Sequence, residues 1–305
     1  MIKNIKSGDL NVAYYELGPI NGTAVFLLHG FPYDIHAYKV VATILSDVGY
    51  RVVVPYLRGF GKTTFLKENK MKSGEQAALG YDLLCLMDSL EISEAILAGY
   101  DWGGRAACVV AALWPKRCLG LVSCNSYNIQ NIVNSKKPIS PLLEQKLWYQ
   151  YYFHSERGYL GLTRNRPNLI RLLWETWSPT WNFSEETFQL SLKSFENSAF
   201  VDVVIHSYRH RFGLSKSDPK YKSIQDKLSE MPSIIVPSIT LDGQDDGVRP
   251  PSDEKVDSDK FTGFRRHKIR LCFGNPSALE IDEGIKLLAQ VCQKEFGVPV
   301  QIANL

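Results

Sequence analysis

The sequence predicts an α/β fold, with a mainly parallel central sheet flanked by helices and split by one helical insertion. Three observations carry this expectation. Short apolar runs alternate with stretches of helical periodicity, which argues for parallel strands joined by crossover helices. One run, Ala95-Ile96-Leu97, leads through Ala98-Gly99-Tyr100-Asp101-Trp102-Gly103-Gly104 into an Ala-rich helix that ends before Trp114-Pro115. Small residues two positions either side of Asp101 permit a tight strand-to-helix turn that holds its side chain over the sheet edge. Strand signals then cease over 128–231, where the chain turns aromatic and charged, and return afterwards. The implied division is a sheet-containing core at 1–127 and 232–305 and a helical cap at 128–231.

Composition bounds the reading. The chain has 305 residues, 45% hydrophobic and 22% charged, enough for one large α/β domain with an insertion. A net charge of +3 is small for this length and no basic stripe suggests nucleic acid. The longest basic cluster, Arg265-Arg266-His267-Lys268, adjoins an apolar run and reads as a solvated strand entrance. Six cysteines (85, 108, 118, 124, 272 and 292) lack metal-like spacing and several lie in apolar runs, as buried reduced thiols do. The first residues contain no apolar signal-peptide region, and no stretch of about 18 apolar residues exists. A soluble, cytoplasmic protein without metal, cofactor or membrane contact is expected, its oligomeric state left open.

In chain order, 11–17 reads as the first strand of a hairpin and 23–28 as a buried strand ending at His29-Gly30-Phe31-Pro32. Positions 37–48 have helical periodicity, and Arg51-Val52-Val53-Val54-Pro55 is the next strand. An amphipathic helix is expected over 75–90, a strand over 95–100 and another over 118–124. Prolines at 138, 141, 179 and 219 punctuate the helical insertion. Strands are expected again at 233–241 and 268–273, and a closing helix over roughly 277–296. An insertion in this place would lie over the C-terminal edge of the sheet as a lid.

The turn around Asp101 has the pattern of a nucleophile elbow, where the usual residue is serine. A carboxylate in that place can attack an sp³ carbon and form an alkyl ester, which points to epoxide or carbon–halogen chemistry. The plain alternative is a Gly-rich strand–helix turn with a capping aspartate. Together with His29-Gly30-Phe31-Pro32, the elbow makes the chain resemble an α/β-hydrolase of the epoxide hydrolase and haloalkane dehalogenase branch over nearly its whole length. The resemblance implies a cis-proline turn at Pro32, and an oxyanion hole formed by the backbone N–H groups of Phe31 and Trp102. It implies a structural rather than basic role for His29.

By the same resemblance, the acid that orients a catalytic histidine lies in Gly243-Gln244-Asp245-Asp246, with Asp246 in register and Asp245 as the alternative. The histidine itself is missing. Gly274 and Glu280 hold the flanking places of the family pattern, and Asn275 stands where the base belongs. His29, His36, His154, His206, His210 and His267 all fall elsewhere. An amide cannot accept a proton near neutral pH, so the second half-reaction should lose roughly 10²–10⁴-fold in rate. Either a trapping substitution or a natural, impaired relative would give this pattern.

Trp148-Tyr149-Gln150-Tyr151-Tyr152-Phe153 and Val204-Ile205-His206-Ser207-Tyr208-Arg209 resemble the lid segments carrying the family's two ring-opening tyrosines, which map to Tyr149 and Tyr208. Trp102, Trp148, Tyr152 and His206 are the expected substrate contacts. The substrate implied is a small, largely apolar epoxide. A haloalkane or haloacid dehalogenase using the same Asp101, and a non-catalytic binder of small ligands, are the alternatives.

Overall fold

The computed structural model describes residues 1–249, 260–262 and 266–271. β1 (Lys3–Ser7) and β2 (Leu10–Leu17) form an antiparallel hairpin at one sheet edge. They are followed by β3 (Ala24–Leu28), α1 (Lys39–Asp47), β4 (Arg51–Pro55), the short β5 (Thr64–Phe65) and α2 (Gln76–Ser89). β6 (Ala95–Gly99), α3 (Asp101–Leu113) and β7 (Cys118–Cys124) complete the first part of the core. The sheet resumes after the insertion with β8 (Ser238–Gly243) and β9 (Arg266–Leu271). Among the described residues the strand order is β1-β2-β4-β3-β6-β7-β8-β9, with β5 paired to β2. β2 pairs with both β1 and β4 antiparallel, and every pair from β4 to β9 is parallel.

Residue type explains the centre of this sheet. Ala24-Val25-Phe26-Leu27-Leu28 and Val52-Val53-Val54 are buried throughout, as strands covered on both faces must be. α2 and α3 pack against each other on one face, and α3 is buried along most of its length. That close approach depends on small residues. A Cβ on Gly103 would stand 2.0 Å from the Leu28 carbonyl oxygen, so only glycine lets the first turn of α3 lie against the end of β3.

The insertion contains α4 (Pro141–Lys146), α5 (Trp148–His154), α6 (Glu156–Arg164), α7 (Arg166–Trp177), α8 (Glu185–Leu192), α9 (Phe200–His210) and α10 (Lys222–Ser229). Ser140, Ser155 and Ser184 accept hydrogen bonds from the backbone N–H three residues on, which starts α4, α6 and α8 where side-chain caps belong. The layer is fastened to the core by buried polar contacts. Trp174 Nε1 donates to the Pro32 carbonyl at 2.8 Å, and Asn197 Nδ2 donates to the carbonyls of Gly61 and Thr63 at 2.9 and 2.7 Å. Buried Arg58 pairs with Asp82 at 2.6 Å and reaches the Tyr221 hydroxyl at 3.1 Å.

Most expected elements are found within a residue or two. β1 and β5 carry no apolar run and give no strand signal, so 11–17, expected as the first strand of a hairpin, is its second, paired with β1. The strand expected from 233 begins only at Ser238. Pro237 brings no N–H to a ladder, and before it Ile234 makes a single bridge to Phe261. The expected helix over 277–296 lies outside the described residues. Among the described residues Cys85, Cys118 and Cys124 are reduced thiols, and burial pushes those of Cys118 and Cys124 up to about 12.

Gly103→Ala is expected to destabilise the protein by roughly 1–3 kcal/mol through overpacking against β3. A urea titration checks this, and an unchanged midpoint would contradict the packing described.

Candidate active site

β6 ends at Gly99, Tyr100 is extended, and α3 begins at Asp101 with φ +47°. A left-handed aspartate at a strand–helix junction costs about 1–3 kcal/mol and is held by its surroundings. Its side chain is still 32% exposed, so a ligand can reach it. Gly30 leaves room for this arrangement, since a Cβ there would sit 2.7 Å from Asp101 Cβ.

Two donors reach the carboxylate from the protein. The Phe31 N–H donates to Oδ1 at 2.9 Å, from a loop in which Phe31-Pro32 is a cis peptide. Arg105, one helical turn further along α3, donates from Nη2 to Oδ2 at 3.3 Å. Trp102 follows Asp101 directly in the first turn of α3, its ring stacked on Phe31 with centroids 6.0 Å apart. The Phe31 ring in turn meets Phe153, Trp177, Phe200 and Tyr208 of the insertion at 6.1, 6.0, 6.2 and 5.6 Å.

Tyr149 on α5 and Tyr208 on α9 are brought together here. Their rings cross nearly perpendicularly with centroids 5.5 Å apart, and Tyr208 lies 6.5 Å from Trp102. Both are buried, and burial raises both phenols above the usual tyrosine value. They therefore remain protonated, in the form that can donate.

Asp246 lies on the loop after β8. Asn125 Nδ2 donates to its Oδ2 at 2.9 Å, and the N–H groups of Val248 and Arg249 donate to Oδ1 at 2.8 Å each. Asp245 turns instead towards Thr180. The register thus presents Asp246, rather than Asp245, beside the end of β7. Asn275 lies outside the described residues. Among those described, no histidine side chain hydrogen-bonds to Asp101 or Asp246.

The other expected contacts divide. Trp148 packs on Tyr149 and Tyr152 and is 37% exposed, at the rim of the aromatic cluster. Tyr152 presses against Gly161 of α6, within the lid. His206 does not serve as expected. Its Nδ1 accepts from the Gly74 N–H at 3.1 Å and its Nε2 meets the Lys216 carbonyl at 2.9 Å. Side chains two apart on a helix point to opposite sides, so turning Tyr208 inward turns His206 away.

Sequence reasoning missed Arg105 and Arg211. Both are 8% exposed, and the Arg211 guanidinium lies 4.2 Å from the centroid of the Tyr208 ring. For Arg105 the available signal was a lone charge in the otherwise apolar stretch from Trp102 to Leu113, whereas Arg211 follows Arg209 and His210 and carries no such signal.

A family profile described as alpha/beta hydrolase fold matches residues 23–271. The chain belongs to the α/β-hydrolase family. The crystal structure of a candidate epoxide hydrolase from Klebsiella pneumoniae subsp. pneumoniae MGH 78578 is 39% identical to this α/β-hydrolase, with a TM-score of 0.90 over 97% of each chain. Epoxide hydrolase B of Mycobacterium tuberculosis H37Rv is 30% identical over 151 residues, 45% of this chain and 41% of the relative. A haloalkane dehalogenase of Mycolicibacterium paratuberculosis is 31% identical over 118 residues, 39% of this chain and 38% of that protein. The matches to these curated relatives thus span less than half of their length. Among the described residues, no helix of this α/β-hydrolase is long and apolar enough to cross a membrane.

His29 supplies a pH prediction. Its Nδ1 donates to the Gly30 carbonyl and its Nε2 accepts from the Leu57 N–H, both at 3.1 Å, so the ring is neutral. Burial depresses its pKa. The unfolded chain therefore binds a proton, near its ordinary pKa of about 6.5, that the folded chain resists. Stability should fall as pH drops from 7 to 5, and His29→Asn should flatten that fall. Melting temperatures across the range test this, and identical slopes would exclude His29 as a source.

Proposed function

We propose that this α/β-hydrolase opens epoxides by covalent attack from Asp101. One carboxylate oxygen attacks a ring carbon and the ring C–O bond breaks, its electron pair remaining on the ring oxygen. Tyr149 or Tyr208 gives that oxygen its proton, leaving a β-hydroxyalkyl ester on Asp101. The observation that carries the reading is the pair of buried, protonated phenols crossing 5.5 Å apart beside Trp102. Likeness to the Klebsiella protein over the whole chain supports the same reaction class.

Ester hydrolysis is the slow step in this reading. Water must attack the Asp101 carbonyl carbon while the N–H groups of Phe31 and Trp102 hold the developing oxyanion. Its proton needs an acceptor that Asp246 would orient, and Asn275 offers none in the place of the base. The protein is then readily alkylated and slowly released.

A second reading has its own support. Among the described residues the indole N–H groups of buried Trp102 and half-buried Trp177 have no hydrogen-bond partner, and both rings adjoin Phe31 at 6.0 Å. Such donors suit a departing halide, so a haloalkane is the alternative substrate.

Intact-mass spectrometry after exposure to styrene oxide, and separately to 1-bromobutane, tests both. An epoxide adduct on Asp101, abolished in Asp101→Asn, is the expected outcome. Halide release without an epoxide adduct would replace the first reading by the second. Tyr149→Phe with Tyr208→Phe together should slow adduct formation by roughly 10²–10⁴-fold, and each alone should slow it less. Asn275→His should convert a lasting adduct into turnover, measured as diol formation. Silence in that variant would remove Asn275 from the base position.

A further inference from the structure

Arg105 and Arg211 are the buried cations of the Asp101 cluster to which epoxide opening assigns no step. Each is more than nine-tenths buried. Nε and Nη1 of Arg105, and Nε and Nη2 of Arg211, have no hydrogen-bond partner among the described residues. Nε and Nη2 together form the edge of a guanidinium that grips a carboxylate through two parallel bonds, so Arg211 presents that edge unpaired. Buried cations in this condition are costly, and folded proteins pair them.

Among the described residues, Asp101 is the carboxylate paired with this cluster. Asp101 Oδ2 takes a single bond from Arg105 at 3.3 Å, while its Oδ1 is engaged by Phe31. Arg211 is pulled down to about 10 by burial first and by repulsion from Arg105 second, with Tyr208, Tyr149 and Asp101 as the groups that oppose this. Arg211 therefore belongs to the same cluster as the nucleophile and both phenols. Arg105 comes from the core and Arg211 from the end of α9, so the pair spans the boundary between sheet and lid.

We infer that Arg105 and Arg211 form a carboxylate subsite, and that the substrate is an epoxide bearing a carboxylate group. The substrate part of this rests on the epoxide reading above, whereas the subsite stands on the guanidinium nitrogens that have no partner among the described residues. An incoming carboxylate would take the free edge of Arg211 and the free nitrogens of Arg105, balancing the second cation that Asp101 leaves uncompensated. It would also fix which ring carbon faces Asp101, since the anchored end cannot exchange places with the apolar end.

Binding of unreactive probes separates the two parts. Butanoate, hexanoate and 3-phenylpropanoate, each paired with its own amide, are titrated calorimetrically into the full chain. At least one carboxylate should bind tenfold or more tightly than its amide, and Arg211→Met or Arg105→Met should abolish that preference. Removing a buried, unpaired cation should leave the melting temperature of Arg211→Met no lower than that of the unsubstituted protein. No preference in any pair, no detectable binding, or a preference that survives in both folded variants overturns the subsite. If either variant fails to fold, the carboxylate–amide comparison in the unsubstituted protein decides alone. Adduct formation with 3-phenylglycidate and its amide is followed in parallel. Carboxylate binding through the arginines without a glycidate adduct overturns the carboxylated epoxide as substrate. Equal adduct rates from glycidate and glycidamide, with no carboxylate preference, overturn the subsite and leave the epoxide reading standing.

Discussion

The interaction on which the site depends is the double engagement of Phe31. Its backbone N–H holds Oδ1 of Asp101, and its ring is clamped between Trp102 of the elbow and four aromatic rings of the insertion. A hydrogen bond to a side chain on a strained residue is only as well aimed as the loop that provides it. Here the loop is immobilised by packing on a ring that is 1% exposed. The lid thus stabilises the geometry of a donor that belongs to the core, and the donor orients the carboxylate beneath the lid tyrosines. Loss of lid packing would reach Asp101 through Phe31 before it reached it through any lid side chain.

Electrostatics in the pocket follow from burial more than from close pairing. The phenols of Tyr149 and Tyr208 are kept neutral by exclusion of water, as is the imidazole of His29. Arg105 and Arg211 are the exception, since a guanidinium gives up its charge too reluctantly to follow that route. They keep their charge, Arg105 with one bond to Asp101 and Arg211 against the Tyr208 ring, and leave buried nitrogens without a partner among the described residues.

How much could be read from the sequence follows from how local each signal is. The elbow was legible because its glycines, its aspartate and its helix are contiguous, and steric demand ties them together. The meeting of Tyr149 and Tyr208 was to be expected only through likeness of short segments, and helical geometry turns His206, two residues from Tyr208, towards Gly74 and Lys216 instead. Arg105 and Arg211 were opaque for another reason. Arg105 stands out as a lone charge in an apolar stretch but Arg211 does not, and their relation arises only where Tyr208 of α9 meets Trp102 of α3. The late start of β8 was hidden because Ser233-Ile234-Ile235-Val236 has the composition of a strand, whereas Pro237 denies it a ladder.

The C-terminal half of α7 is held at two places beside the aromatic cluster. Trp174 is bonded to the Pro32 carbonyl, and the Gly247 N–H, in the loop that carries Asp246, donates to the Trp177 carbonyl at 3.0 Å. This segment is therefore stapled both to the loop of Phe31 and Pro32 and to the loop of Asp246. Its contour is fixed by the chain itself, so a ligand meeting that side would incur little ordering cost there and would be discriminated by shape rather than by adaptation.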